Sequence, residues 1–222
     1  MKLTHWTLNL TAAAVLASLA LLAQDTLRYN AQPRGSKVTI NGTSNIHDWE
    51  VEGEVIGGYF EVESAFGTDK SLKSVTSLNT PGSAPKSALF IPITSLKSQV
   101  AIGRDKMDSV MQQAMKADDN PQIRYKLTEM TIKGTVPDSG TPVKFDTKGD
   151  LAMSGMTNKI DMEVTMERMD DGKIKFSGTK VLDMTGWKIE PPAPKLALGM
   201  IHTGKEVTIK FEWLLAPRHV NK

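Results

Sequence analysis

The sequence predicts an all-β fold of antiparallel strands, and three observations carry that prediction. Apolar and polar residues alternate with period two through 49–55, 160–167 and 207–213, the spacing that turns one face of a strand to a core and the other to water. Turn-forming residues punctuate the chain at Gly57-Gly58, Pro81-Gly82, Pro137-Asp138-Ser139-Gly140 and Asp170-Asp171-Gly172. One segment, 104–116, carries its apolar residues at helical spacing instead.

Taken in order, Lys2 and His5 precede an apolar run over 8–22, broken by Asn9, Thr11 and Ser18, and small residues then lead to Gln24 and Asp25. This is the charged start, short apolar stretch and small-residue exit of a secretory signal. The run falls short of the roughly 20 apolar residues that span a bilayer. Cleavage after Ala20 or Ala23 is expected, so 1–23 reads as a signal peptide and 24–222 as one domain. Strands are expected at 37–43, 49–55, 59–63 and 88–93. Between the last two, 67–86 is rich in Ser, Lys, Thr and Pro and reads as a long loop or a weak edge. In the helix, Met107, Val110, Met111, Ala114 and Met115 share a face, and Asp118-Asp119-Asn120-Pro121 ends it because the residue before a proline avoids helical geometry. Strands resume at 123–130, 143–153, 160–167, 174–182 and 207–213, with Asp170 to Gly172 as a hairpin connection.

The 222 residues are 40% apolar and 23% charged, ordinary for a globular domain. Basic and acidic residues, 27 against 25, alternate without blocks and aromatics are 6%, so no basic stripe with interleaved rings exists to bind nucleic acid. The absence of cysteine excludes disulfides, thiolate metal sites, thiol catalysis and lipid attachment through a thiol. The string from Gly199 to Glu206 imitates a phosphate loop but places Glu206 where Ser or Thr must follow the lysine, and leads into a strand. It reads as a hairpin turn beside Lys205. His47, His202 and His219 share no metal-ligand spacing on one element, and a site pooled from His47, Asp48 and His202 is the only metal alternative. No serine sits in a nucleophile elbow. Carboxylates fall in the solvent phase of strands, where their pKa values are expected to stay ordinary. Neither metal, cofactor nor catalytic residue is expected.

Strands polar on one side only can stack as two sheets or close into a barrel. A barrel of about eight strands has room for one small ligand. The inward phase is supplied by Met153, Met162, Val164, Met166, Ile174, Phe176, Ile209 and Phe211, with Gly149 and Gly178 in step. Methionine fills irregular gaps and glycine is expected to leave space. From pattern alone, a packed sandwich and a hollow barrel remain equal alternatives.

Four segments in order resemble the YceI-like family of secreted bacterial proteins: GTSNIHDWEVEG (42–53), IPITSLKS (91–98), MDSVMQQAMKADDNPQIRYKLTEM (107–130) and GDLAMSGMTNKIDMEV (149–164). The likeness runs from about 29 to 215; 67–86 is longer and more polar than the family's matching loop, and 218–222 has no counterpart. The resemblance implies a lipocalin-like antiparallel barrel of about eight strands with one short helix, holding an isoprenoid or fatty amphiphile in the periplasm or outside the cell. Trp49, Val51, Val55, Met153, Met162, Val164, Met166, Phe176, Ile209 and Phe211 are then the expected lining, and Met107, Met111 and Met115 of the helix the mouth. His47, Arg104 and Lys106 are the headgroup candidates. Transient membrane contact and a homodimer are compatible with this reading. The alternative is an adhesion or interaction sandwich with a solid core, its function on loops such as 67–86.

Overall fold

The structure, a computed structural model, describes residues 25–136, 142–192 and 201–218. The signal peptide expected over 1–23, the turn at 137–140, Gly199 and His219 lie outside them.

Among the described residues, eleven strands pair antiparallel in one sheet. They are β1 (Thr26–Ala31), β2 (Lys37–Ser44), β3 (Trp49–Gly53), β4 (Gly57–Glu63), β5 (Lys86–Pro92), β6 (Lys97–Ser98), β7 (Gln122–Ile132), β8 (Val143–Met153), β9 (Met156–Arg168), β10 (Ile174–Asp183) and β11 (Thr203–Pro217). Helices α1 (Ala65–Thr68), α2 (Thr76–Asn79) and α3 (Arg104–Ala114) interrupt them. Eight strands close a ring in the order β1, β4, β5, β7, β8, β9, β10, β11, which returns to β1 at Tyr29 opposite Pro217. Closure removes much of the sheet edge that would otherwise template aggregation, and leaves β6 at the end of the sheet. Strand β11 serves two neighbours: its end pairs with β1, its earlier part with β2, and β3 and β6 extend the wall.

Alternation sets the faces. On β8, Val143, Phe145, Thr147, Leu151 and Met153 are buried, whereas Lys144, Asp146 and Lys148 point to solvent. Outside, Lys144 and Lys133 both pair with Glu163 at 2.9 Å, and Lys148 with Glu129 at 2.7 Å. The hairpin at Asp170 to Gly172 joins β9 and β10 as expected, with Arg168 opposite Ile174 and Gly172 in the left-handed region. Strand β9 pairs with β8 from Met156 to Met166 but with β10 only between Arg168 and Val164, opposite Ile174 to Gly178. Beyond Gly178 the two strands separate, while β10 stays on β11 as far as Asp183.

One end of the barrel is solid. Phe60, Phe66, Phe176, Tyr29 and Trp213 form a chain of ring contacts with centroids 5.1 to 6.2 Å apart. The expectation of a long loop over 67–86 is corrected here. Phe66 and Leu72, together with Val75 and Leu78, are buried and plug this end, two of them on the one-turn helices α1 and α2. Polar residues tie the plug locally. Asp69 accepts from the hydroxyls of Ser71 and Ser74 at 2.6 Å each, and Glu63 accepts from Ser77. Arg168 stacks over Phe66, 4.3 Å from its centroid, and donates to its carbonyl at 2.8 Å.

Other departures have equally local causes. Strand β1, unexpected from the pattern, is fixed by pairing with both β4 and β11. Helix α3 stops at Ala114, before the Asp-Pro segment, with Lys116 in the left-handed region. Where it is described, the phosphate-loop mimic is strand and not turn: Thr203, Gly204 and Lys205 already belong to β11, and Lys205 pairs with Asp183 at 2.8 Å. Nor do Gly149 and Gly178 leave space. A Cβ at Gly149 would overlap the Tyr125 ring and one at Gly178 the Phe211 ring, so these glycines seat aromatic rings across neighbouring strands.

Candidate functional site

Opposite the plug, the barrel is hollow. An apolar cavity of about 390 Å³ opens at the end formed by α3, the 44–48 loop and the start of β11, within the range of about 300–1,000 Å³ usual for small-molecule sites. Its wall is built by the inward phase of several strands: Val38 and Ile40 on β2, Trp49 and Val51 on β3, Leu151 and Met153 on β8, Ile160 and Met162 on β9, Ile209 and Phe211 on β11. Met107 and Met111 on α3, with Met115 at its C-terminal cap, form the cavity's cover. Methionine is the side chain best suited to reshape around a flexible guest.

Among the residues expected to line it, Trp49, Val51, Met153, Met162, Ile209 and Phe211 do so, with the three helix methionines. Four do not. Val55 lies past the end of β3, which stops at Gly53, and is 45% exposed. Val164, Met166 and Phe176 point inward as the alternation requires, but they are buried in the solid half, below the cavity floor. Period two gives the face of a strand and not the depth along the barrel, so it could not separate these residues from Met162.

Trp49 both packs and anchors. Its ring lies against Gly42 on the paired strand, where a Cβ would overlap it, and its indole nitrogen donates to the Thr43 carbonyl at 3.1 Å. The adjoining loop is held by Ser44, whose hydroxyl donates to the His47 carbonyl at 2.6 Å, and by Asn45, which accepts from the His202 amide at 2.8 Å. His47 and Lys106 reach the cavity rim; Arg104 is exposed and lies outside the lining, a correction to its place among headgroup candidates. Among the described residues, no three His, Cys, Asp or Glu side chains gather as a metal site.

Sequence reasoning missed several contributors. Lys180 lines the cavity at the inward phase of β10, and Tyr125 lies on its floor. The Tyr125 phenol closes no hydrogen bond, although the Thr147 hydroxyl is near enough to oppose, in part, the upward push that burial gives its pKa. Met184 and Ile189, following β10, also line the wall, and Trp187 is locked there by donating to the Leu151 carbonyl at 2.9 Å. On the outer surface some carboxylates do move, contrary to expectation. Lys205 and Thr185 hold Asp183 down to about 2, and Ser71 and Ser74 lower Asp69 further.

A profile of the YceI-like domain matches residues 29–214. Among curated proteins none matches the chain. Solved structures similar in fold include a polyisoprenoid-binding domain from Saccharophagus degradans implicated in plant cell wall breakdown, with TM-score 0.61, 14% identity, and coverage of 86% of this chain and 99% of that one. BcnA from Burkholderia cenocepacia is similar at TM-score 0.57 and 16% identity, over 82% of this chain and 96% of its own. The Campylobacter jejuni YceI protein is similar at TM-score 0.50 and 15% identity, over 81% and 86% respectively.

Proposed function

The chain belongs to the YceI-like family, and on that premise we propose that it is a non-catalytic binding protein that holds one isoprenoid or fatty amphiphile in the barrel, after secretion to the periplasm or beyond. The observation that carries this reading is the cavity itself: about 390 Å³ of room walled by apolar side chains and covered by three methionines. Each buried methylene of a guest contributes about 0.8 kcal/mol, so length and bulk are selected more than chemistry. The Saccharophagus degradans domain of like fold is described as binding polyisoprenoid, which supports the same ligand class here. Ile102, 91% exposed, and Ile46, 56% exposed, flank the open end. Exposed apolar tips of this kind suit brief contact with a membrane from which a lipid is taken.

Native mass spectrometry and solvent extraction of protein purified from its own host test this directly. The expected result is one long-chain amphiphile per barrel. Protein that carries no lipid, and takes none up from added isoprenoid alcohol or fatty acid, overturns the reading and favours an interaction module acting through its loops.

A further inference from the structure

The barrel wall has a split, and one cation stands in it. Pairing between β9 and β10 ends at Val164 opposite Gly178, although both strands continue toward the open end, β9 to Met156 and β10 to Asp183. The side chains facing each other across the gap, Ile160 and Met162 on one side and Lys180 and Leu182 on the other, all line the cavity. Above the gap, the turn that follows β10 closes over it, with Asn158 donating to the Gly186 carbonyl at 2.8 Å.

Lys180 is anomalous for its position. Strand alternation points it inward with Phe176, Gly178 and Leu182, where an ammonium is costly to bury. Its stem lines the apolar wall, yet its head reaches Asp161, a residue on the outer face of β9, at 3.5 Å. The Asp161 side chain is 83% exposed and that of Lys180 29%. The lysine therefore runs from the cavity to the surface through the split, an apolar stem inside and a charge at the exit. Its partner is long in distance and well solvated, so that ion pair holds the ammonium only weakly and a second anion can compete for it.

We infer that the split between β9 and β10 is where the head of the bound amphiphile leaves the barrel, and that Lys180 is its counter-charge, so the preferred guest is an acidic amphiphile with a carboxylate or phosphate ester head. This rests on the reading of the cavity as a lipid site and adds the chemistry and position of the head, which sequence reasoning placed at the open end beside His47, Arg104 and Lys106. An anion at the split would share the ammonium with Asp161 or displace it, while the tail occupies the methionine-lined room behind.

The test compares three guests of one chain length, laurate, dodecyl phosphate and dodecanol, titrated calorimetrically into delipidated full-length protein. The expected result is tighter binding of the two acids than of the alcohol, their ratio telling carboxylate from phosphate. Lys180→Met keeps the stem and removes the charge; it is expected to weaken both acids about tenfold and to leave dodecanol within about twofold, which also reports that the variant is folded. Asp161→Asn removes the competing anion and is expected to tighten both acids. Equal binding of acid and alcohol by the wild-type protein, or an acid preference that survives Lys180→Met, overturns the proposal while leaving a lipid site. An acid preference abolished by Lys106→Met and not by Lys180→Met moves the head to the open end and equally overturns it. Failure of all three guests to bind removes the lipid reading itself, and this inference with it.

Discussion

At the scale of single residues, depth in the barrel decides what a substitution costs. Met166 and Glu163 both lie on β9, yet Met166 is 1% exposed in the solid half and Glu163 stands outside between Lys133 and Lys144. Met166→Asp introduces an unpaired carboxylate into an apolar interior and is expected to lower the unfolding free energy by roughly 3 kcal/mol or more. Glu163→Ala is expected to leave the urea midpoint unchanged, since both of its ion pairs are solvated. The same measurement with the effects reversed would invert the phase assigned to β9. Gly149→Ala is expected to cost about 1–3 kcal/mol by overpacking, because its Cβ and the Tyr125 ring compete for one volume. Phase was legible in the sequence: Met162, Val164 and Met166 all face inward where the alternation puts them. The Tyr125 ring over Gly149 was not, because that contact joins different strands and depends on their register.

At the scale of elements, the least legible segment is the plug. Read linearly, 67–86 is polar, and its serines and Asp69 do form surface turns. What the composition concealed is that Phe66, Leu72, Val75 and Leu78 are spaced so that successive tight turns bring all four to one side. They have a barrel end to cover, and nothing local announces it. Leu72, fully buried, is the sensitive probe. Leu72→Ala is expected to cost about 2–5 kcal/mol by cavity formation, measured by thermal or urea unfolding; a cost below about 0.5 kcal/mol, typical of surface positions, would show that the segment is a loose loop after all. Helix α3 presents the opposite case. Its methionine face was evident from spacing, and the structure lays that face over the cavity.

At the scale of the whole molecule, the outer surface is a mesh of exposed ion pairs, and its acid response follows from their signs. Asp183, Asp69 and Asp171 have carboxyls held below their ordinary values by neighbouring lysines or hydroxyls. A carboxylate with a lowered folded-state pKa stabilises the protein above its unfolded value and loses that contribution as pH falls toward the folded one. Stability is therefore expected to be level from neutral pH to about 5 and to fall from about pH 4 toward about 2, the value of Asp183. Urea midpoints across that range check the slope. Asp183→Asn should remove part of it, and high salt should flatten it because the charges are exposed. A midpoint that rises on acidification would contradict the sign.

The amino-acid order alone determined the class of element, which face of each strand meets water, and the short methionine-faced helix, because period two and period three to four are local properties that a linear chain displays. Whether those faces press together or surround room was decided only in three dimensions. It depends on the register that returns β11 to β1, on the plug that fills one half of the barrel and leaves the other hollow, and on the parting of β9 from β10 that brings Lys180 to the cavity. These are relations between residues far apart in the chain, and no periodicity encodes them.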